Sequence, residues 1–483
     1  MTKRITILLS LFLTALLFVT IFSYTTSPLY HLNGLTPDSI IFQIIGKYWA
    51  QDSIPYKDLW DMKGPFIFFI NAIGYTLNDS RTGIYIIQII LMWLTLLCAY
   101  HICSKVVSPC LSFFFVLLSL ASLSYIYEGG NLTEEYILLP LTLSFYYVFR
   151  WINQYENEHI INHLPQHSIV YGIVLGLSLM TRLTNALSIC TAVCVILAVL
   201  LYHKKYKNVF HNALSFLLGF IITTVPFFLY FHHHQALDEM WKATFLFPLK
   251  YAGNTYMDIM DIGIHYFILS YFSSILLMLL VIFLIVKWRI ITLRYILYFL
   301  VALIPFIWFC QGNGYGHYGM TVFPLFFLAI LEIKKMRMQY SYYIVSIILL
   351  IACFSKILFV SNINNIHNQE IKDYHLFLNN NPHIDFSSFI AYGCLPDIYL
   401  TENIRPSVPV FSLQEMGKSR IPEWHDYISN QYSQYKPKWI LIKDDNNIKN
   451  IIIQSLLNKQ YILKYSDTGK KLKLYERKVL ELN

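Results

Sequence analysis

Long apolar runs, each about the length of a bilayer crossing, follow one another through most of this 483-residue chain and constrain its fold more than any other feature. A helix that crosses the hydrocarbon core needs about 20 consecutive, mostly apolar residues. Only helices and closed barrels satisfy their own backbone N–H and C=O groups in lipid. Runs of the helical kind are read at 5–24, 83–103, 106–126, 132–149, 169–181, 184–202, 209–231, 263–287, 291–310, 316–333 and 340–360. By the length rule, the sequence predicts an all-α polytopic membrane domain of about eleven transmembrane helices. The run at 169–181 is short and stops at Thr181-Arg182, so a tilted or broken helix is expected there. Residues 64–77 are apolar but short, which suits a re-entrant or interfacial helix.

Charge gives the expected orientation. The formal net charge is +8, but the Lys and Arg residues sit in short loops between apolar runs. That is where orientation signals belong, so a nucleic-acid partner is excluded in favour of topology. With the N-terminus in the cytoplasm, Lys105, Arg150, Lys204-Lys205-Lys207, Lys287-Arg289-Arg294 and Lys334-Lys335-Arg337 all fall inside. The outer face then receives Asp38, Asp52, Asp58, Asp61, Glu128, Glu134, Glu135, Asp238, Glu239, Asp258 and Asp261. An odd number of spans leaves the C-terminal tail outside as well. The first run follows Lys3-Arg4 like a signal peptide. It is long for one and no small-residue cleavage site closes it, so it is read as a retained span. Seven of the eight cysteines lie in or beside apolar runs, where Cys behaves as a small hydrophobe. The spacing shows neither a disulfide framework nor a CxxC zinc pattern.

Past residue 360 the chain turns polar. Short apolar strands are expected at Phe389–Tyr392, Val408–Phe411, Trp439–Ile442 and Tyr461–Tyr465. The last is followed by Ser466-Asp467-Thr468-Gly469 and Leu472–Tyr475, a hairpin pattern. Helix is expected around Leu376 and over Ile451–Leu457. The expected division is a transmembrane domain over 1–360 and a small C-terminal α/β soluble domain, extracytoplasmic, over 361–483.

The residues able to carry chemistry gather on the predicted outer face. The stretch from Thr36 to Pro65 packs Asp38, Asp52, Asp58, Asp61 and Lys63 into a very apolar chain. A central Asp or Lys costs roughly 2.5–3.5 kcal/mol on insertion scales, so this stretch lies at a water interface or lines a polar cavity. Thr36-Pro37-Asp38 is a helix start, with Thr36 at the N-cap and Pro37 at the first helical position. Asp38 is then either a functional acid or a partner for the helix dipole. The helix after it is amphipathic enough to lie along the membrane surface. Ile54–Pro65 holds two carboxylates, Lys63 and the aromatic Tyr56. Lys63 either binds a phosphate as a point charge or snorkels to the headgroups as an anchor.

Glu134 and Glu135 follow Gly129-Gly130-Asn131-Leu132-Thr133, where Asn131 or Thr133 suits a cap. Arg182, between apolar runs, needs an anion or water. A lipid phosphate and one of the carboxylates both fit. His317-Tyr318 sit in the glycine-rich QGNGYGHYGM, which suits either close approach to a ligand or a tight turn. His232-His233-His234 point in different directions with no second cluster, so they read as an interfacial loop. Leu237–Tyr251 is amphipathic and suits a cover over a lipid-facing groove.

Together these features resemble the integral membrane glycosyltransferases of the GT-C class, in particular the bacterial family similar to protein O-mannosyltransferases and the lipid A aminoarabinose transferase. The resemblance runs over most of residues 1–360. It places Asp38 where the family has an acid just after the first span, and Lys63-Gly64-Pro65 at a lysine-proline segment, with Gly64 replacing the first of two prolines. Glu134 or Glu135, with Glu134 preferred, matches the second-loop acid, and Arg182 in TRLTN also has counterparts. Asp38 is followed by Ser39 rather than the second acid common in mannosyltransferases.

The resemblance implies a hexosyl- or pentosyltransferase using a polyprenyl-phosphate-linked sugar, with a glycan, lipid or protein acceptor, at the outer face of the cytoplasmic membrane. Asp38 and Glu134 are the implied catalytic acids. Tyr56, Asp58, Asp61, Lys63, Glu135, Arg182, His317 and Tyr318 are the implied substrate-binding residues, and membrane lipids are further partners. The one cofactor it admits is a divalent cation, Mg²⁺ or Mn²⁺, held by Asp38 and Glu134. The alternatives are a transporter or flippase for lipid-linked sugars, and a non-catalytic assembly protein that binds such a lipid.

Overall fold

The computed structural model describes residues 2–32, 34–252, 264–311, 315–335, 339–363, 368–415, 423–443 and 448–478. Asp258, Asp261, Gly312, Gly314 and Arg337 lie outside them. The chain is mostly helical with one small sheet and is a multi-pass membrane protein. It packs as two compact units. One comprises Met1–Ser27, Tyr85–Tyr230 and Tyr256–Ser361; the other comprises Pro28–Ile84, Phe231–Thr255 and Asn362–Asn483.

The first unit is a helix bundle. Among the described residues, six helices are long and apolar enough to cross a bilayer: Arg4–Phe22, Thr82–Ser104, Pro109–Ile126, Leu183–Tyr202, Tyr206–His233 and Leu293–Cys310. Several other expected spans are shorter or interrupted, each for a local reason. The run expected from 132 begins its α-helix only at Leu138, because residues 128–131 all adopt left-handed φ values of 45°, 90°, 72° and 58°. The run at 169–181 is the helix Pro165–Leu179, followed by a 3₁₀ turn over Leu183–Ala186 that leaves Arg182 in the break. The run at 263–287 breaks at Tyr271 into Ile264–Ser270 and Phe272–Trp288. The run from 316 opens as a 3₁₀ helix, Gly316–Val322, before the short helix Leu325–Lys335.

Close helix contact in this unit rests on small residues. A Cβ on Gly172 would lie 1.9 Å from the Phe216 carbonyl oxygen, and one on Gly176 2.0 Å from Thr223 Oγ1. Helices Pro165–Leu179 and Tyr206–His233 therefore touch along a small-xxx-small stripe, the kind that lets membrane helices approach closely.

One expected orientation charge is internal instead. Lys105, Arg150, Lys204, Lys205, Lys207, Lys287 and Arg289 are exposed, but Arg294 is buried. Its guanidinium pairs with Glu156 at 2.8 Å and Glu332 at 3.2 Å, and donates to Asn153 Oδ1 at 2.6 Å. A buried guanidinium needs that ring of acceptors, so Arg294 is a packing element here rather than a loop charge.

The second unit carries the sheet. β1 (Phe389–Tyr392), β2 (Trp439–Lys443), β3 (Tyr461–Asp467) and β4 (Leu472–Arg477) lie in the order β1-β2-β4-β3. β1 and β2 are parallel and the other pairs antiparallel, with the expected hairpin joining β3 to β4. Val408–Phe411 is buried but is not a strand. Pro406 and Pro409 remove ladder donors, the Val410 N–H donates to Gln431 Oε1 at 3.1 Å, and the Pro409 carbonyl accepts from the Trp60 N–H at 2.9 Å. The helices expected around Leu376 and Ile451 run over Asn368–Asn379 and Ile451–Gln460.

Residues 28–84 join the same unit. They supply the helices Pro37–Trp49 and Pro65–Leu77, which meet where a Cβ on Gly46 would lie 2.3 Å from Asn71 Cβ. Pro37–Trp49 is not a surface-lying helix: Ser39 through Gly46 and Tyr48 are all buried. Its apolar residues cover more than one face, so packing overrides the amphipathic reading.

Candidate active site

In the second unit the acidic loop folds around Lys63. Pro37 occupies the expected first helical position, while the Thr36 side chain makes no capping bond. Asp38 stands in the first turn, and its carboxylate lies 3.9 Å from Lys63 Nζ. The Asp38 side chain is 45% exposed and that of Lys63 19%, so the pair is open to ligand. An exposed pair of this kind adds little stability. Both backbone groups of Lys63 are held, the N–H by Asp61 Oδ2 at 3.4 Å and the carbonyl by the Tyr56 hydroxyl at 2.8 Å. Gly64 has φ −69° and ψ 160°. A proline would share that conformation, so its replacement by glycine leaves the backbone path intact.

Tyr56 and Asp58 serve this loop. Tyr56 is 2% exposed, with its ring against Phe68 and Phe231. Asp58 Oδ2 accepts from the Ile54 N–H at 2.8 Å, closing the turn, and lies 3.8 Å from Arg405.

Asp61 is 3% exposed. Burial, opposed by the Lys63 ammonium and reinforced by the Asp38 charge, pushes its carboxyl up to about 6. The sign of the linkage follows. Below the unfolded-state value near 4, both states are protonated and Asp61 is neutral for stability. As pH rises from there to about 6, the unfolded chain ionises first and the folded state loses stability, and above about 6 the loss is complete. At neutral pH the loss amounts to roughly 3 kcal/mol. Asp61→Asn is therefore expected to raise thermal stability in detergent at pH 7 but not at pH 4. An equal effect at both pH values would show that the buried charge is not what costs stability.

In the first unit, Glu134 and Glu135 diverge although adjacent. Glu135 is saturated: its carboxylate accepts from Gln88 Nε2 at 2.9 and 3.1 Å, from the Asn131 N–H at 2.7 Å and from the Tyr127 hydroxyl. Gln88 Oε1 in turn accepts from Ser23 Oγ at 3.1 Å and from the Thr26 hydroxyl. The Gly129 carbonyl takes the Thr25 hydroxyl at 2.8 Å. Two glycines make this closeness possible. A Cβ on Gly129 would stand 2.6 Å from the Tyr24 ring and one on Gly130 2.3 Å from Ser23 Oγ, both at positive φ. Neither expected cap is used as one, since the Asn131 side chain accepts from the Tyr136 hydroxyl and Thr133 donates to Glu134.

Glu134 addresses Arg182 instead. Arg182 Nη1 lies 3.4 Å from Glu134 Oε1, and its guanidinium sits 3.2 Å above the centre of the Tyr318 ring. The acid side chain is 1% exposed and the arginine 22%. A guanidinium held by one carboxylate and one aromatic face keeps planar N–H donors for an anion. His317, next to Tyr318, binds Glu128 Oε2 through Nδ1 at 2.6 Å. The structure thus brings Asp38, Asp61, Lys63, Tyr56 and Asp58 together in one unit, and Glu134, Arg182, His317 and Tyr318 in the other. Glu128, Gln88 and Tyr127 were not singled out as site residues from the sequence. Among the described residues, no three or more His, Cys, Asp or Glu side chains gather as they would around a metal ion.

No family model and no curated protein sequence matches this chain. Solved structures do. ArnT from Cupriavidus metallidurans in the apo state matches with a TM-score of 0.62 and 10% identity, over 98% of this chain and 98% of its own. The same protein bound to undecaprenyl phosphate matches with a TM-score of 0.57 and 11% identity, over 100% and 99%. The GT-C fold that the sequence resemblance implies is therefore the fold of this chain.

Proposed function

We propose that this chain is a membrane glycosyltransferase that moves a sugar from a polyprenyl-phosphate-linked donor to an acceptor at the outer face of the cytoplasmic membrane. The observation that carries the reading is the Asp38–Lys63 pair, an open carboxylate beside the ammonium of a lysine whose backbone is held on both sides, on a fold shared with a protein solved with undecaprenyl phosphate bound. The chemistry needs both charges. Asp38 takes the proton of the acceptor hydroxyl as its oxygen attacks the anomeric carbon. The bond from that carbon to the phosphate oxygen breaks, and its electron pair leaves on the lipid phosphate. Lys63 stabilises the charge gathering there, as preorganised donors do at an oxyanion. Within the other unit, Arg182 beside Glu134 is a cation whose planar donors suit a phosphate. Nucleotide sugars are not expected outside the cytoplasm, so an activated sugar must arrive on lipid.

The test is transfer from a panel of synthetic polyprenyl-phosphate sugars to a membrane-extract acceptor by the purified protein. Sugar transfer with release of polyprenyl phosphate is expected. Binding of the donor lipids without transfer, together with their movement across vesicles, would replace the reading with a flippase.

A further inference from the structure

We propose that Tyr56 and Thr244 are positioning residues for the Lys63 ammonium, acting through the Lys63 carbonyl. The inference rests on the phosphate role given to Lys63 above. Tyr56 holds an unfavourable backbone for an aromatic residue, φ 71°, a conformation that persists only where the surroundings fix it. They do. Its N–H donates to the Leu59 carbonyl at 2.7 Å, and its ring packs against Phe68 and Phe231 at 5.8 and 5.3 Å. A phenylalanine would fill that space equally well.

The hydroxyl is what needs explaining, because burying one is costly without partners. It donates to the Lys63 carbonyl at 2.8 Å and accepts from Thr244 Oγ1 at 3.3 Å. Thr244 lies in Lys242–Leu246, a stretch of π-helix, and such local widenings recur at functional sites. Asp61 holds the other backbone group of Lys63. With both its N–H and its carbonyl fixed, Lys63 retains only side-chain torsions, so less freedom is lost when the ammonium meets an anion. The clamp holds the chain beside the reacting group and leaves the half-buried ammonium able to turn.

The experiment has two readouts on Tyr56→Phe, Thr244→Val and Thr244→Ser. The first is the rate at which a small acylating reagent modifies Lys63, read by mass spectrometry with exposed Lys57 as internal reference; this requires no sugar transfer. Tyr56→Phe is expected to change the Lys63-to-Lys57 ratio several-fold, Thr244→Val less, and Thr244→Ser to restore it. The second is sugar transfer, where Tyr56→Phe is expected to lower kcat about 10- to 100-fold with little change in KM or melting temperature. In a Lys63→Ala background Tyr56→Phe should cost nothing more, since residues acting through one another are non-additive. An unchanged acylation ratio, or a full additional loss in the Lys63→Ala background, overturns the positioning role. A changed ratio in a protein that transfers no sugar supports the clamp and removes the glycosyltransferase reading instead.

Discussion

Asp38→Asn is expected to lower sugar transfer by about 10²–10⁴-fold, the usual worth of a positioned acid–base group, while leaving the protein folded and inserted. The asparagine keeps the shape and the first-turn position on the helix Pro37–Trp49 but cannot take the acceptor proton. Little stability is at stake, because the carboxylate is 45% exposed and its partner is 3.9 Å away. The fall should appear in kcat at saturating donor, with donor binding retained through Lys63. Transfer at the wild-type rate by Asp38→Asn would remove Asp38 from the chemistry and leave it as a dipole partner of its helix.

The largest effect on folding is expected at Glu135. Glu135→Ala strands the Gln88 amide, the Tyr127 hydroxyl and the Asn131 N–H, all buried. Each orphaned donor costs about 1–3 kcal/mol, enough together to consume much of the stability of a typical domain. A collapse in yield of folded protein from detergent is expected, with partial recovery in Glu135→Gln, which still offers an acceptor. Glu134→Gln should behave oppositely: a normal melting temperature, and loss of transfer through the altered charge beside Arg182. A stable Glu135→Ala protein lacking activity would exchange the roles of the two acids.

The clustering of charge in the candidate site was legible from the sequence. Four acids and three lysines between Thr36 and Pro65 could not be dispersed through a bilayer, and the structure gathers Asp38, Asp61 and Lys63. The division of labour between Glu134 and Glu135 was not legible. It depends on a run of four left-handed residues and a 3₁₀ turn that send adjacent side chains to different partners, and sequence spacing carries no trace of that. The local geometry of Tyr56 and Asp58 was not legible either. The positive φ of Tyr56 and the turn closed by Asp58 are decided by packing against residues distant in the chain. The burial of Arg294 was not legible for a related reason. Its partners, Glu156 and Glu332, lie in runs far from it in sequence, and a pattern of charges along a chain does not reveal which of them meet.

The knot of bonds around Glu135 also bears on biosynthesis. A membrane protein inserts its helices in order of synthesis, so the end of the first span reaches its boundary long before residue 135 leaves the ribosome. Until then Ser23, Thr25 and Thr26 lack their partners on Gln88 and Gly129. The nascent protein must hold these hydroxyls without their final partners while the next four helices, up to Ile126, are made. That interval is when membrane insertases would shelter it and proteases would test it. A mutation that weakens the second loop would then act first on how much protein survives assembly, and only afterwards on how fast the survivors turn over.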